Sequence, residues 1–233
     1  MSLPVLLLSF VLLAPVPAEF SVVQFPPRGK ISLSLGGKNK AEVERVGTVT
    51  RVFIQMDALA PPDSVVPRMN TYVVWAVSPE GSFDNLGELE ISGTKGALTA
   101  TTRFDRFGIF LTPEPHYMVD QPHARVVFKN ETPRAVPAVP LTVQVGAYDY
   151  NNLPENTGAA QALVMEARAA MAIANSVMAD RRADSEFRQA KASLDTMEEL
   201  VTRGSPPEVV SAAANAAIRR AQRATTAARQ TVR

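Results

Sequence analysis

Thr71-Tyr72-Val73-Val74-Trp75-Ala76-Val77-Ser78 places Val73, Trp75 and Val77 on one side of an extended chain and Tyr72, Val74 and Ala76 on the other. Successive side chains of a strand point to opposite faces. This strand therefore has two apolar faces and belongs in the middle of a sheet that is covered on both sides. A strand of that kind requires a second layer of structure.

Working outward, the same alternation recurs at short spacing. Residues 50–57 set Val52, Ile54 and Met56 on one face. Further strands are expected at 85–91, 96–104, 107–112, 124–129 and 141–147, separated by turns such as Pro79-Glu80-Gly81, Ser92-Gly93 and Thr94-Lys95-Gly96. Residues 19–40 read as a lead-in with one edge strand at 30–35, and 132–140 as a stiff crossing segment because Pro133, Pro137 and Pro140 remove donors. Many short strands with regular turns predict an antiparallel β-sandwich over residues 41–150.

After a linker at 151–158 the composition changes. Alanine takes 21 of the 75 positions from Ala159 to the end, with one glycine, Gly204, and two adjacent prolines, Pro206 and Pro207. Three helices are expected. The first spans 159–180 with Leu163, Ala167, Ala170, Ala174 and Val177 on one stripe. The second spans 185–203 behind an N-cap at Asp184, with Phe187, Ala190, Leu194, Met197 and Val201 inward. Gly204 suits the position just past a helix end. Ser205-Pro206-Pro207-Glu208 reads as a capping box opening the third helix. The fold class is thus segregated α+β: an N-terminal antiparallel β-sandwich followed by an alanine-rich helical hairpin or three-helix unit.

Residues 1–18 carry no charged side chain. An apolar run at 3–13 precedes Val16-Pro17-Ala18, small residues of the kind a signal peptidase reads, so cleavage is expected after Ala18; an uncleaved anchor is the alternative. There is no cysteine, which excludes disulfides, thiol nucleophiles and thiolate metal sites. Export without disulfides suits a bacterial periplasm or cell envelope. Net charge is +1, so no global field points to nucleic acid.

Catalytic equipment is sparse. No nucleotide-binding glycine loop and no nucleophile elbow occurs. His116 and His123 flank Tyr117 and Asp120 at a spacing that matches no metal-ligand pattern, and read as surface loop residues. Glu88 and Glu90 read as a solvated strand face rather than a glycosidase pair. Trp75 reads as core. No cofactor, metal or small-molecule substrate is implied. Two groups remain as contact candidates: the basic face of the last helix, Arg219, Arg220, Arg223 and Arg229, for a protein partner or a membrane surface, and Tyr148 with Tyr150 for a stacked sugar.

Two resemblances add to this. Tyr72-Val73-Val74-Trp75-Ala76-Val77-Ser78-Pro79-Glu80-Gly81, then Asn85-Leu86-Gly87-Glu88-Leu89, then Gly108 to Pro115 with its Glu114-Pro115 pair, resemble the extracytoplasmic β domain of the anti-sigma-K factor family. Ala172-Ile173-Ala174, Phe187-Arg188-Gln189-Ala190-Lys191-Ala192-Ser193-Leu194 and Gly204 are similar to an alanine-rich envelope domain of unknown function found ahead of OmpA-like domains in Gram-negative bacteria. Together they imply a non-enzymatic envelope protein that acts through contacts with envelope proteins. The alternatives are a cell-wall glycan-binding module and a regulatory protein related to anti-sigma factors.

Overall fold

The computed structural model describes residues 15–148, 150, 152–155 and 161–231. In chain order the strands and helices are β1 (Val16–Gln24), β2 (Lys30–Ser34), β3 (Lys40–Val46), β4 (Val49–Met56), α1 (Pro62–Val65), β5 (Thr71–Val77), β6 (Phe83–Glu88), β7 (Glu90–Ser92), β8 (Lys95–Thr102), β9 (Arg106–Glu114), β10 (Phe128–Lys129) and β11 (Ala138–Val145), then α2 (Ala162–Ser176), α3 (Ala179–Arg182), α4 (Asp184–Thr202) and α5 (Pro207–Gln230). The chain is α+β, with two antiparallel sheets followed by the longer helices. One sheet runs β11-β1-β9-β5-β6, with β10 also on β9; the other runs β2-β3-β4-β8-β7.

Every residue of β5 is buried. One face, with Tyr72, Val74 and Ala76, joins Phe107, Ile109 and Leu111 of its own sheet and Leu33, Val43, Val52 and Ile54 of the other in a single core. The opposite face packs Val73, Trp75 and Val77 with Phe20, Phe110, Val119 and Val145. At about 25 cal/mol per Å² of apolar surface removed from water, these two clusters are the main stabilising element of the β part.

The lead-in contributes two strands, not one, and the first begins at Val16, so Val16 to Ala18, expected as the last residues of the signal, are paired in the sheet. β1 pairs with β11 in full, Val16 opposite Val145 through Val23 opposite Ala138, so the crossing segment also enters the sheet at its end. Pro140 lies opposite Ser21. The Ser21 carbonyl is turned away from β11 to accept from Asn130 Nδ2 at 3.0 Å. The missing proline donor therefore falls on the free edge of β11, where a strand tolerates it. The expected strand at 85–91 breaks at Leu89, whose amide bonds to the Tyr72 carbonyl instead. Of the expected strand at 124–129, Phe128 and Lys129 alone are paired.

Asn130 seals the split where β1 leaves β9. Its Oδ1 accepts from the Ile109 amide at 2.7 Å, while Nδ2 donates to the carbonyls of Ser21 and Glu131. The side chain supplies bonds that a neighbouring strand would otherwise make.

The expected start of the first helix at Ala159 lies outside the described residues. That helix ends early, at Ser176, because Met178 takes a left-handed conformation (φ 58°), and the short α3 follows. The second helix begins at Asp184 itself, with Ala183 before it and no side-chain cap. Gly204 (φ 66°) closes it as expected: the Ser205 amide bonds to the Leu200 carbonyl and the Gly204 amide to that of Val201, the double bond pattern of a Schellman turn. The capping box is not made. A residue before proline is held extended, so Pro206 (ψ 143°) cannot be the first helical residue. That place falls to Pro207, one position late for Ser205 to cap.

Alanines set the helical packing. Ala167, Ala170, Ala190, Ala214, Ala217 and Ala221 are buried between α2, α4 and α5 with Met171, Met197 and Ile218. Tyr117 and Met118, in the loop after β9, pack against this core, so the helices are docked on the β part. Met69 and Leu153 meet Ala169 and Ile173 of α2 at the same seam. Among the described residues no helix is long and apolar enough to cross a membrane.

Candidate functional site at the seam

The seam gathers polar groups from four parts of the chain. β9 ends in Glu114, the one acid of the strand, and its side chain is fully buried. Trp75 on β5 donates its indole N–H to Thr112 Oγ1 at 2.8 Å, and the Thr112 hydroxyl donates to Glu114 Oε1 at 2.5 Å. The His123 amide donates to the same oxygen at 2.6 Å. Glu114 Oε2 has no hydrogen-bond partner among the described residues. Burial pushes the Glu114 carboxyl up to about 8, against the opposing effect of its Thr112 and His123 bonds. At neutral pH it is largely a neutral acid.

The His123 ring stacks near Tyr150, centroids 6.3 Å apart with planes 17° from parallel. Burial, and then the Glu114 charge, raises the Tyr150 phenol well above its usual range. From the other side, α5 delivers Arg229. Its guanidinium donates to Asp120 Oδ1 at 2.9 Å and lies 3.3 Å from the centre of the Tyr148 ring. A guanidinium over an aromatic face is attracted by the ring quadrupole. The His116 imidazole is buried beneath this loop and driven down to about 3, first by burial and then by the Arg229 charge.

Tyr148, Tyr150 and Arg229 line a half-open cleft of about 320 Å³ with Asn152, Leu153, three α2 residues, Ala172, Ile173 and Ser176, and Val177 just past the helix end. That volume lies at the lower end of ligand pockets, roughly 300–1,000 Å³. Leu153, Ala172, Ile173 and Val177 give it an apolar floor; Asn152, Ser176 and Arg229 give it polar edges.

A second polar group lies farther along the seam. Glu166 of α2 is 1 % exposed and accepts from the Tyr117 amide at 2.9 Å. The Tyr117 hydroxyl donates to Asn215 Oδ1 at 2.9 Å, tying the loop to α5. Glu88 of β6 accepts from the Thr71 hydroxyl at 3.0 Å.

The residues expected from sequence are distributed unevenly. Tyr148 and Tyr150 do come together in the cleft. Arg229, expected to face a partner, faces inward and closes the seam. Arg219 is exposed but lies beside the Tyr117 hydroxyl, and Arg220 donates to Ser193 Oγ at 2.5 Å. Arg223 is exposed. His116 is not a surface residue, and Glu88 is half-buried rather than solvated. Among the described residues no group of three or more His, Cys, Asp or Glu is placed to hold a metal ion. The sequence reading missed Glu114, Glu166 and Ser176 as site residues, and named Asp120 only beside the two histidines. An acid at the end of a mostly apolar strand and an acid on the alanine face of a helix were the signals that marked Glu114 and Glu166.

No family model, no curated protein and no solved structure matches this chain.

Proposed function

We propose that the chain is a non-enzymatic protein of the bacterial envelope, exported by its N-terminal signal, that acts by protein–protein contact through the seam cleft. In this reading the two sheets form a β-sandwich, which the core shared between them supports. The observation that carries the reading is the cleft itself. An apolar floor from Leu153, Ala172, Ile173 and Val177, edged by Tyr148, Tyr150 and Arg229, matches the pockets that receive an anchoring apolar side chain at protein interfaces, where Tyr and Arg concentrate. The test is a crosslinking pull-down from envelope fractions with the wild-type chain and with Ser176→Arg. Ser176 is exposed, so the substitution fills the mouth of the cleft without disturbing the core. Loss of the captured partner with Ser176→Arg, but not with Arg223→Ala, is the expected result. Equal capture by both variants, or fractionation of the mature chain with the cytoplasm, overturns it.

A cell-wall glycan is the second reading, favoured by the pairing of two tyrosines with Asn152 and Ser176 at one opening. Each ring, however, already has a stacking partner in Arg229 or His123. Binding of purified peptidoglycan fragments that is lost in Tyr148→Ala would establish it in place of the protein contact.

A further inference from the structure

β1 begins three residues before the bond at which cleavage is expected. Val16, Pro17 and Ala18 lie opposite Val145, Gln144 and Val143, which makes three of the eight residue pairs between β1 and β11. The Glu19 carbonyl accepts from Lys129 Nζ at 2.7 Å and the Ser21 carbonyl from Asn130 Nδ2 at 3.0 Å, so both point away from β11. In an antiparallel ladder the alternate residues turn their N–H and C=O groups to the partner strand. Val16 and Ala18 are therefore the residues that bond Val145 and Val143. Pro17 falls in the same set as Glu19 and Ser21, so its missing N–H costs no ladder bond. Side chains contribute as well. Ala18 packs against the cluster of Phe20, Trp75, Phe110 and Val145, in which Val145 is 1 % exposed.

β11 is the outer strand of its sheet and bonds only to β1. A cut after Ala18 would leave Val143 and Val145 with a partner on neither side and would uncover the Val145 side chain. The loss would reach the cleft, because the chain leaves β11 at Val145 and arrives at Tyr148 three residues later. Small residues ahead of a cut and the opening of a strand look alike in sequence, and here the second use has eight paired positions behind it. We propose that Val16 to Ala18 belong to the mature chain, as the first residues of β1, and that removal of the leader takes place before Val16. That the chain meets a signal peptidase at all rests on the export proposed above; the place of Val16 to Ala18 in the fold does not.

The experiment is an intact-mass measurement of the chain recovered from the envelope fraction, followed by amide hydrogen exchange on the same preparation. The mass should include Val16, Pro17 and Ala18, whether or not residues farther upstream remain. The Val143 and Val145 amides should exchange within about tenfold of the Leu141 amide, which faces Phe20 in the same ladder. Without β1 beside them they would exchange on the order of a hundredfold faster than Leu141. A mature chain that begins at Glu19 overturns the proposal, and so does fast exchange of both amides in a chain that keeps residues 16–18. Recovery of the chain from the cytoplasm removes the export reading instead, and exchange at Val143 and Val145 in that material still decides whether Val16 to Ala18 are part of the fold.

Discussion

Trp75 and Thr112 lie diagonally across the paired strands β5 and β9, and the indole N–H donates to the threonine hydroxyl at 2.8 Å. That bond orients the hydroxyl so that its own proton goes to Glu114. The only tryptophan of the chain is therefore two hydrogen bonds, through Thr112, from the acid that burial raises to about 8. A carboxyl raised in the folded state contributes stability that is complete below about pH 4, the ordinary range of Glu, and is lost as pH climbs. Relative to Glu114→Gln, which retains an acceptor for Thr112 and His123, the wild type should lose on the order of a few kcal/mol between that range and about pH 8. The depressed His116 imidazole adds a rise of opposite sign that both proteins share, so the difference between the two slopes carries the Glu114 contribution. Denaturant unfolding followed by Trp75 fluorescence at several pH values checks this; equal slopes for both proteins refute it.

Asn130→Ala removes an acceptor from the Ile109 amide and a donor from the Ser21 carbonyl in a part of the sheet that water does not reach. Leaving buried backbone groups unmatched costs about 1–3 kcal/mol each. The variant should lose about 2–4 kcal/mol in chemical denaturation. Asn130→Asp keeps the acceptor and loses the donor, and should also destabilise because it brings a charge into a buried site. A loss under 1 kcal/mol for the alanine variant would show that the split between β1 and β9 closes without this side chain.

Arg229→Ala deletes the ion pair with Asp120 and the contact with the Tyr148 ring together. The guanidinium is only 20 % exposed, so screening is incomplete and a loss of about 1–2 kcal/mol is expected. Arg229→Lys should recover less than half of it, since an ammonium cannot both stack flat on the ring and reach Asp120. Arg229→Ala should raise the His116 imidazole only modestly, because burial, not Arg229, is the larger cause of its depression. Nuclear magnetic resonance titration of the two imidazoles reads this directly.

Gly204 and Gly146 separate backbone strain from crowding. Both have positive φ, 66° and 78°. A Cβ on Gly204 would meet nothing, so Gly204→Ala should cost about 1 kcal/mol from conformation alone. On Gly146 it would stand 2.6 Å from the Ala124 Cβ, and Gly146→Ala should cost at least twice as much in a thermal melt.

The parts of the fold that were legible in the sequence are those whose signal is local. Tyr72 to Val77 has two apolar faces because both sides of β5 are covered, and no distant information is needed to see it. Gly204 is likewise read from its neighbours. β1 was not legible as a strand, although Val16, Ala18, Phe20 and Val22 alternate, because Val16 to Ala18 read as the end of a signal peptide and its partner, β11, lies more than a hundred residues on. Arg229 was misread for a related reason. An arginine near a helix end is normally solvated, and only the fold brings Asp120 and Tyr148 beneath it. His116 follows Pro115 in what looks like an exposed loop, and it is buried because α5 lies across that loop. Tyr148 and Tyr150 were found because aromatic residues at a domain boundary stand out by composition, but their cleft needs α2 to complete it.

The pairing of β1 with β11 orders events in time. β11 forms the outer edge of its sheet and bonds only to the first strand, so that sheet is incomplete until residue 145 has been made. Contacts so far apart in sequence are slow to form, because a long loop must close before they contribute anything. The first two-thirds of a nascent chain therefore has no way to finish its sheet early. Such a chain can stay threadable during synthesis and snap shut only once the segment just ahead of the alanine-rich helices has emerged.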